Sequence, residues 1–203
     1  NVVKKSTNMP WYTGLSILET LDNFKSNDDR SKLPLRLPVQ DVYKFDKRRI
    51  IAGRVESGTV AIGDLVTFYP SGKSTRVKTI EKWSAKEPSR AVAGESTGLT
   101  MEEQIFVERG EIAALPSAPP QTGDSFPANV FWMGSKHLQK GARYLFKLAT
   151  QEVEGTIDSI VKVINSSTLE EISSNASEVA KNEVAEIIVS TKRPIAFDTF
   201  DTV

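Results

Sequence analysis

The stretch RRIIAGRVESGTVAIGD, residues 48–64, sets the fold class that we expect for this chain. Its apolar residues come in short runs, and Gly53 and Gly58 interrupt them as glycines do within a strand and at a tight turn. A further turn follows at Gly63, and the apolar run 65–69 begins just after it. Turns at this spacing between short β-rich runs predict the antiparallel hairpins of an all-β barrel or sandwich.

The same alternation of strand and turn continues through most of the chain, with a break at a proline-rich segment. Pro116, Pro119 and Pro120 lie within five residues of one another, as is typical of a boundary between domains. We therefore predict two consecutive antiparallel β-barrels, over residues 33–116 and 117–203. The expected elements of the first barrel are a strand at 35–39, where Leu35, Leu37 and Val39 alternate with Arg36 and Pro38, a strand and tight turn within 50–60, strands 65–69 and 75–83, and two short strands in 103–115 after a turn-rich connection at 94–100. In the second barrel we expect strands 126–133, 144–148, 157–163 and 185–189, and within 157–163 the apolar Ile157, Val161 and Val163 alternate with Asp158 and Lys162.

Residues 1–32 have a different pattern, which predicts a connector helix and a linker. Ser16 and Glu19 have the spacing of a capping box, and apolar residues follow at helical intervals through Leu21. Residues 25–32 contain no apolar side chain, so we expect a solvated linker there. The chain begins with Asn1 and not with methionine, which we interpret as a piece of a longer protein.

Composition excludes several classes of function. Lys plus Arg and Asp plus Glu are 26 each, and this zero net charge argues against nucleic acid or an anionic membrane as the main partner. There is no cysteine, which removes disulfides and thiolate chemistry and fits a cytoplasmic protein. His137 is the only histidine, so histidine-based triads and most zinc sites are excluded. No apolar run approaches the length of a membrane span.

Motifs that bind phosphate or transfer protons are weak in this sequence. Ser71-Gly72-Lys73-Ser74 lacks the first glycine of a phosphate-binding loop and joins two predicted strands, so we interpret it as a hairpin turn. The acidic pairs 28–29, 102–103 and 170–171 have no visible partner and are expected on the surface. The sequence therefore predicts no catalytic residue, no bound cofactor and no metal site in this chain.

Two clusters leave a choice between a structural and a functional interpretation. Lys44, Lys47, Arg48 and Arg49 fall on one predicted hairpin, which is either a solvated tip or a contact for an anion or an acidic partner. Trp132 and Met133 are either part of the core or an exposed surface for a partner, and Trp11 and Trp83 carry the same ambiguity.

The run 48–64 resembles the second-domain signature of translational GTPases, and residues 93–100 resemble a later loop of the same barrel. In that family the matching strand and turn contain the residues that stand here as Arg54, Glu56, Ser57 and Gly58. The resemblance implies that these four residues contact a GTP-binding domain of the same chain.

The beginning of the chain and the second barrel narrow the resemblance. Residues 1–21 are similar to the end of a GTP-binding domain and its connecting helix, as in elongation factor 1-alpha and in the large subunit of bacterial sulfate adenylyltransferase. Phe131-Trp132-Met133 and residues 144–147 are similar to that sulfate adenylyltransferase subunit. The family continues beyond residue 195 with further strands, so we expect an incomplete second barrel with an exposed edge.

What this resemblance implies is a parent protein that binds GTP and Mg²⁺ in a domain outside this chain. The parent would be a nucleotidyltransferase subunit with GTPase activity, coupling GTP hydrolysis to the activation of sulfate by ATP on a catalytic subunit. Trp132 and Met133 are then the candidate contacts for that catalytic subunit. Two alternatives stay open: a fragment of an elongation-factor-type GTPase that binds aminoacyl-tRNA, and an interaction module without any GTP-binding domain.

Overall fold

The computed structural model of the chain describes residues 1–24, 30–45, 48–83 and 88–200. Most of the predicted linker, including Asp28 and Asp29, and also Lys47, lies outside the described residues. In chain order the elements are α1 (Ile17–Asp22), a 3-10 turn (Arg30–Lys32), β1 (Leu37–Phe45), β2 (Arg48–Arg54), β3 (Thr59–Ala61), β4 (Leu65–Tyr69), β5 (Lys73–Glu81), β6 (Arg90–Val92), β7 (Ser96–Met101), β8 (Ile112–Ala114), β9 (Gln121–Phe131), β10 (Leu138–Gln139), β11 (Arg143–Leu148), β12 (Gln151–Asn165), β13 (Glu171–Ala176), β14 (Glu178–Val179) and β15 (Glu183–Phe197).

The first domain is a closed six-stranded antiparallel barrel, in the order β1-β2-β7-β5-β4-β8. It closes because β1 pairs on both sides, with Val39 opposite Gly53 in β2 and Leu37 opposite Ala113 in β8. Each of the six strands contributes at least one side chain to the core, and the ribbon β3–β6 contributes two further apolar side chains to it. The buried core of the barrel consists of Leu35, Leu37, Val39, Ile51, Val55, Val60, Val66, Phe68, Val77, Ile80, Ala91, Leu99, Val107 and Ala113.

The second domain is built on a five-stranded antiparallel sheet with the path β11-β12-β15-β9, and β13 pairs with the far end of β12. The ribbon β10–β14 packs against it, because Leu138 and Val179 from that ribbon are buried in the same core. Burial of this apolar face is the main stabilising contribution. The buried core here consists of Leu138, Ile157, Ile160, Val163, Val179, Ala185, Ile187 and Val189.

The all-β class and the short N-terminal helix are confirmed, and the strands match the predicted order with three corrections. The connection expected at 94–100 is instead strand β7, in the middle of the barrel between β2 and β5. The turn is confined to residues 93–95, and Gly94 within it has a φ of 91°. Gly98 is not a turn residue: a Cβ there would lie 2.4 Å from the Cγ2 of Ile50, so the strand needs glycine for close packing.

The second correction concerns residues 103–115, where one short strand, β8, takes the place of the two that were expected. The third concerns β12, in which Val161 was expected to face the core. It is instead 40% exposed, because the register with β15 shifts between Ile160 and Lys162 and the extra residue turns Val161 outward. Strands β6, β10, β13 and β14 were not predicted.

We expected the exposed edge of the second domain at the end of the chain, but the structure places its exposed edges elsewhere. Strand β15 reaches Phe197 and is an inner strand, paired with β12 and with β9. The outer strands of the path are β11 and β9, and β9 carries Pro127, a residue found on edge strands because it lacks an N–H to donate. We keep the division at residues 116 and 117 as a proposal; β8 ends at Ala114 and β9 begins at Gln121.

Candidate functional site

The turn that carries four of the predicted site residues is enclosed by the segment leading into the barrel. The backbone N–H of Arg36 donates to the carbonyl of Ser57 at 3.0 Å, and the N–H of Glu56 donates to the carbonyl of Arg36 at 2.9 Å. The hydroxyl of Ser57 donates to the carbonyl of Pro34 at 2.6 Å, and Ser57 is fully buried. These bonds fix the turn against residues 33–36.

Gly58 is the tightest point of this contact. Its φ is 75°, and a Cβ at this position would lie 2.5 Å from the Cα of Leu35, which is backbone and cannot move aside. Its N–H also donates to the carbonyl of Arg30 at 2.8 Å. Ser57 and Gly58 therefore hold the turn from inside, while Arg54 is exposed and Glu56 is half-buried.

Glu95 anchors the same turn from the other side. Its carbonyl accepts the N–H of Val55 at 2.9 Å, and its carboxylate accepts the N–H of Val92 at 2.7 Å and the Nζ of Lys82 at 2.5 Å. The hydrogen bond from Lys82, followed by the bond from the Val92 N–H, lowers the pKa of this carboxyl from its ordinary value of 4.5.

Helix α1 presents apolar side chains that no other described element buries. Ser16 and Glu19 form the predicted capping box: the Ser16 N–H donates to Glu19 Oε2 at 2.7 Å, and the Glu19 N–H donates to Ser16 Oγ at 3.3 Å. None of the helix residues is buried. The exposed apolar residues of this segment are Trp11, Leu15, Ile17, Leu18, Leu21 and Phe24.

The second predicted contact region is divided between core and surface. Trp132 is half-buried, donates from Nε1 to the carbonyl of Lys136 at 2.7 Å, and packs edge-on against Tyr144 with ring centroids 5.8 Å apart. Met133 is 72% exposed and its neighbour Phe131 is 52% exposed. Trp132 therefore belongs partly to the core, whereas Met133 and Phe131 form an apolar surface beside it.

The hairpin with the Ser-Gly-Lys-Ser motif, the described part of the basic hairpin and His137 all lie on the surface of the two domains. Residues 70–72 form the turn between β4 and β5, and Lys73 begins β5 opposite Phe68, which confirms the hairpin interpretation of the Ser-Gly-Lys-Ser motif. In the basic hairpin, the guanidinium of Arg49 lies 4.7 Å from the ring centroid of Phe106, and Arg48 lies 3.6 Å from Glu81. Whether the hairpin contacts a partner stays a prediction. His137 pairs with Glu178 at 3.1 Å on the ribbon β10–β14.

Within the described ranges, no group of His, Asp and Glu side chains is arranged to hold a metal ion. In that part of the chain, no helix has the length and apolar character that a membrane span requires.

Sequence reasoning missed one pair of residues that joins the two domains. The guanidinium of Arg36 donates from Nε and Nη2 to the two carboxylate oxygens of Asp198, both at 2.7 Å. Its Nη1 also donates to the carbonyls of Leu35 at 2.7 Å and Ala118 at 2.9 Å. The Arg36 side chain is 5% exposed and that of Asp198 is 17% exposed. We call this set of contacts the interdomain clamp.

Comparison with known proteins gives one family match and a series of relatives. Residues 125–203 match the family described as GTP-eEF1A C-terminal domain-like. The chain is 36% identical to the bifunctional enzyme NodQ of a Rhizobium species, covering 98% of this chain and 31% of that protein. It is 33% identical to sulfate adenylyltransferase subunit 1 of Shewanella oneidensis, covering 100% of this chain and 42% of that protein. The chain thus spans less than half the length of these relatives.

Solved structures agree with the fold. The chain superimposes on Sup35 complexed with GDP with a TM-score of 0.79 at 20% identity, covering 95% of this chain and 47% of that one. Sup35 complexed with GMPPNP gives a TM-score of 0.78. This likeness confirms the fold, whereas the family match and the relatives confirm the resemblance to translation-factor-like GTPases and to the sulfate adenylyltransferase subunit.

Proposed function

We propose that this chain, similar over almost its whole length to sulfate adenylyltransferase subunit 1, is the non-catalytic β-domain region of such a subunit. That similarity is the observation that carries the proposal. In this proposal GTP and Mg²⁺ bind to a separate domain of the same protein, and ATP and sulfate are converted to adenosine phosphosulfate and pyrophosphate on a catalytic subunit. A cytoplasmic location goes with it, because the nucleotides involved are cytoplasmic metabolites.

The role of the two domains in this proposal is to transmit the state of the GTP site to the catalytic subunit. Switches of this kind rotate a domain as a rigid body around a linker. The interdomain clamp supports such a role, because a buried bidentate pair resists a change in the angle between the domains. Movement applied to the first domain would therefore reach the second.

The contact with the GTP-binding domain is proposed to involve two surfaces. One is the exposed apolar side of α1, including Leu18 and Leu21, which are 45% and 54% exposed. Covering this side would remove apolar surface from water. The other is the turn 54–58, in which Arg54 and Glu56 are the side chains that reach solvent while Ser57 and Gly58 hold the backbone.

The contact with the catalytic subunit is proposed to lie at Met133, next to Trp132. An exposed methionine beside an aromatic side chain is typical of interface centres. Met133→Glu places a charge at this surface and is expected to weaken binding by at least tenfold, because burying an unpaired charge is costly. Leu145→Glu is the matched control, since Leu145 is 53% exposed on the outer strand β11.

The test is co-elution of the purified chain with a sulfate adenylyltransferase catalytic subunit in size-exclusion chromatography, with affinity then measured by titration. The proposal expects a complex that Met133→Glu weakens and Leu145→Glu does not. Retention of aminoacyl-tRNA at physiological salt, without binding of the catalytic subunit, would favour the elongation-factor alternative. Equal effects of the two variants would contradict the placement of the contact at Met133.

A further inference from the structure

A cleft of about 320 Å³ lies where the two domains meet. The first domain lines it with the β4–β5 turn and residues 108–111, and the second domain lines it with Gln151 and residues 193–195. Clefts between domains are frequent binding sites, because side chains from two separately folded units converge there.

Three cationic side chains from separate segments line this cleft: Lys73 and Arg109 from the first domain and Arg193 from the second. Lys73 donates to the carbonyl of Phe106 at 2.6 Å, and Arg193 donates from Nη2 to the carbonyl of Glu152 at 2.9 Å. The side chain of Arg109 makes no hydrogen bond or ion pair with the described residues. Most of the donors on these three groups are therefore available to a ligand.

Two carboxylates also line the cleft, and one of them is already used. Glu111 is 7% exposed, and its Oε2 accepts the backbone N–H of Glu108 at 2.8 Å. Glu108 is exposed. In the described part of the chain, neither carboxylate forms an ion pair with Lys73, Arg109 or Arg193. The cleft thus retains a positive excess.

The floor of the cleft is closely packed and hydrogen-bonded. Gly110 has a φ of 96°, and a Cβ there would lie 3.2 Å from the Cα of Gln151, so the two domains approach each other backbone to backbone. The side-chain amide of Gln151 donates to the carbonyl of Ala196 at 2.7 Å and accepts its N–H at 3.0 Å. The cationic groups are therefore carried on a preformed base, which lowers the entropy cost of binding.

We propose that this cleft binds a tetrahedral oxyanion, sulfate or phosphate, between Arg109 and Arg193, with Lys73 as a third cationic contact. Guanidinium groups match the oxygens of such anions in pairs, and charged hydrogen bonds of this kind are the strong ones. A ligand held by both domains stabilises the joint between them. The proposal is independent of the sulfate adenylyltransferase assignment, because it rests on the lining of the cleft alone.

The test is a titration of the chain with sodium sulfate and with sodium phosphate at constant ionic strength, adjusted with sodium chloride. Binding is followed by the thermal midpoint and by calorimetry. Each of Arg109→Gln and Arg193→Gln is expected to weaken binding by about tenfold or more, as loss of one charged hydrogen-bonding group predicts. Both side chains are exposed, so the midpoint without anion should stay close to that of the unmodified chain.

Arg90→Gln on β6 and Arg143→Gln on β11 are the matched controls, because each removes the same charge from an exposed arginine outside the cleft. Saturable binding of sulfate, phosphate or both, weakened by the cleft variants and kept by the controls, supports the site. A response that grows with anion concentration without saturation overturns it. Equal losses in the cleft variants and the controls overturn it as well.

Discussion

Asp198→Ala is the most direct test of how the two domains are joined. The substitution removes both acceptors of the fork-to-fork contact with Arg36, whose guanidinium is 5% exposed. Removing one member of a buried ion pair leaves the other charge without its partner, at a cost of about 3–5 kcal/mol. Arg36 still donates to the carbonyls of Leu35 and Ala118, so we expect the lower end, about 3 kcal/mol.

The free energy of unfolding can be measured in urea with two signals. Circular dichroism follows both domains, and in a background with the exposed Trp11 and Trp83 replaced by Phe, the fluorescence of Trp132, which packs against Tyr144, gives a signal from the second domain. We expect the two signals to coincide in the unmodified chain and to separate in Asp198→Ala, because loss of the clamp uncouples the domains.

Glu152→Ala is the matched control, because it removes a carboxylate from the exposed pair with Lys147, in which the side chains are 56% and 68% exposed. Exposed ion pairs contribute about 0–1 kcal/mol to the free energy of unfolding. A double-mutant cycle between Arg36→Ala and Asp198→Ala isolates the pairwise contribution. The reasoning is refuted if Asp198→Ala costs no more than the control and both signals still coincide.

Three further predictions concern Gly58 in the turn 54–58, Glu95 beside that turn, and GTP binding. Gly58→Ala should destabilise the barrel by about 3 kcal/mol or more in urea unfolding, because strain at positive φ adds to a clash with the backbone of Leu35. Gly72→Ala is the control: its φ is also positive but it faces open space, so it should cost about 1–2 kcal/mol. Equal losses in the two variants would contradict this reasoning. Glu95→Gln should be less stable than the unmodified chain above pH 4.5, and this difference in stability should shrink as the pH falls below 4.5. The reason is that a carboxyl with a lowered pKa contributes stability only while the folded carboxylate is ionised. A difference in urea midpoints that does not change with pH would argue against it. The chain alone should show no GTP binding in calorimetry, and micromolar affinity would overturn the proposal that the site lies in another domain.

Local patterns in the sequence predicted much of the fold, because they depend on neighbouring residues. The capping box at Ser16 and Glu19, the hairpin at 70–73 and the inward-facing residues of β15 all follow from spacing within a few positions. Gly58 was predicted at a turn for its permissive dihedrals, and its φ of 75° agrees.

The features that the sequence did not predict depend on contacts between distant segments. Gly98 was interpreted as a turn residue, although its role depends on Ile50 in the neighbouring strand. The interdomain clamp joins Arg36 to Asp198, and no periodicity or motif relates two positions so far apart. Arg36 alternates with apolar residues in the sequence, a pattern that does not reveal a distant partner. The cleft is likewise formed only when both domains are in place.

The strand order of the second sheet has a consequence for how the protein is made. Among the described strands β9 pairs with β15 alone, so a chain emerging from the ribosome carries residues 121–131 for some fifty positions before their partner exists. During that interval an unpaired strand is open to wrong association. Pro127 interrupts its row of donors, so we expect it to limit such association in the nascent chain as well as at the edge of the finished sheet.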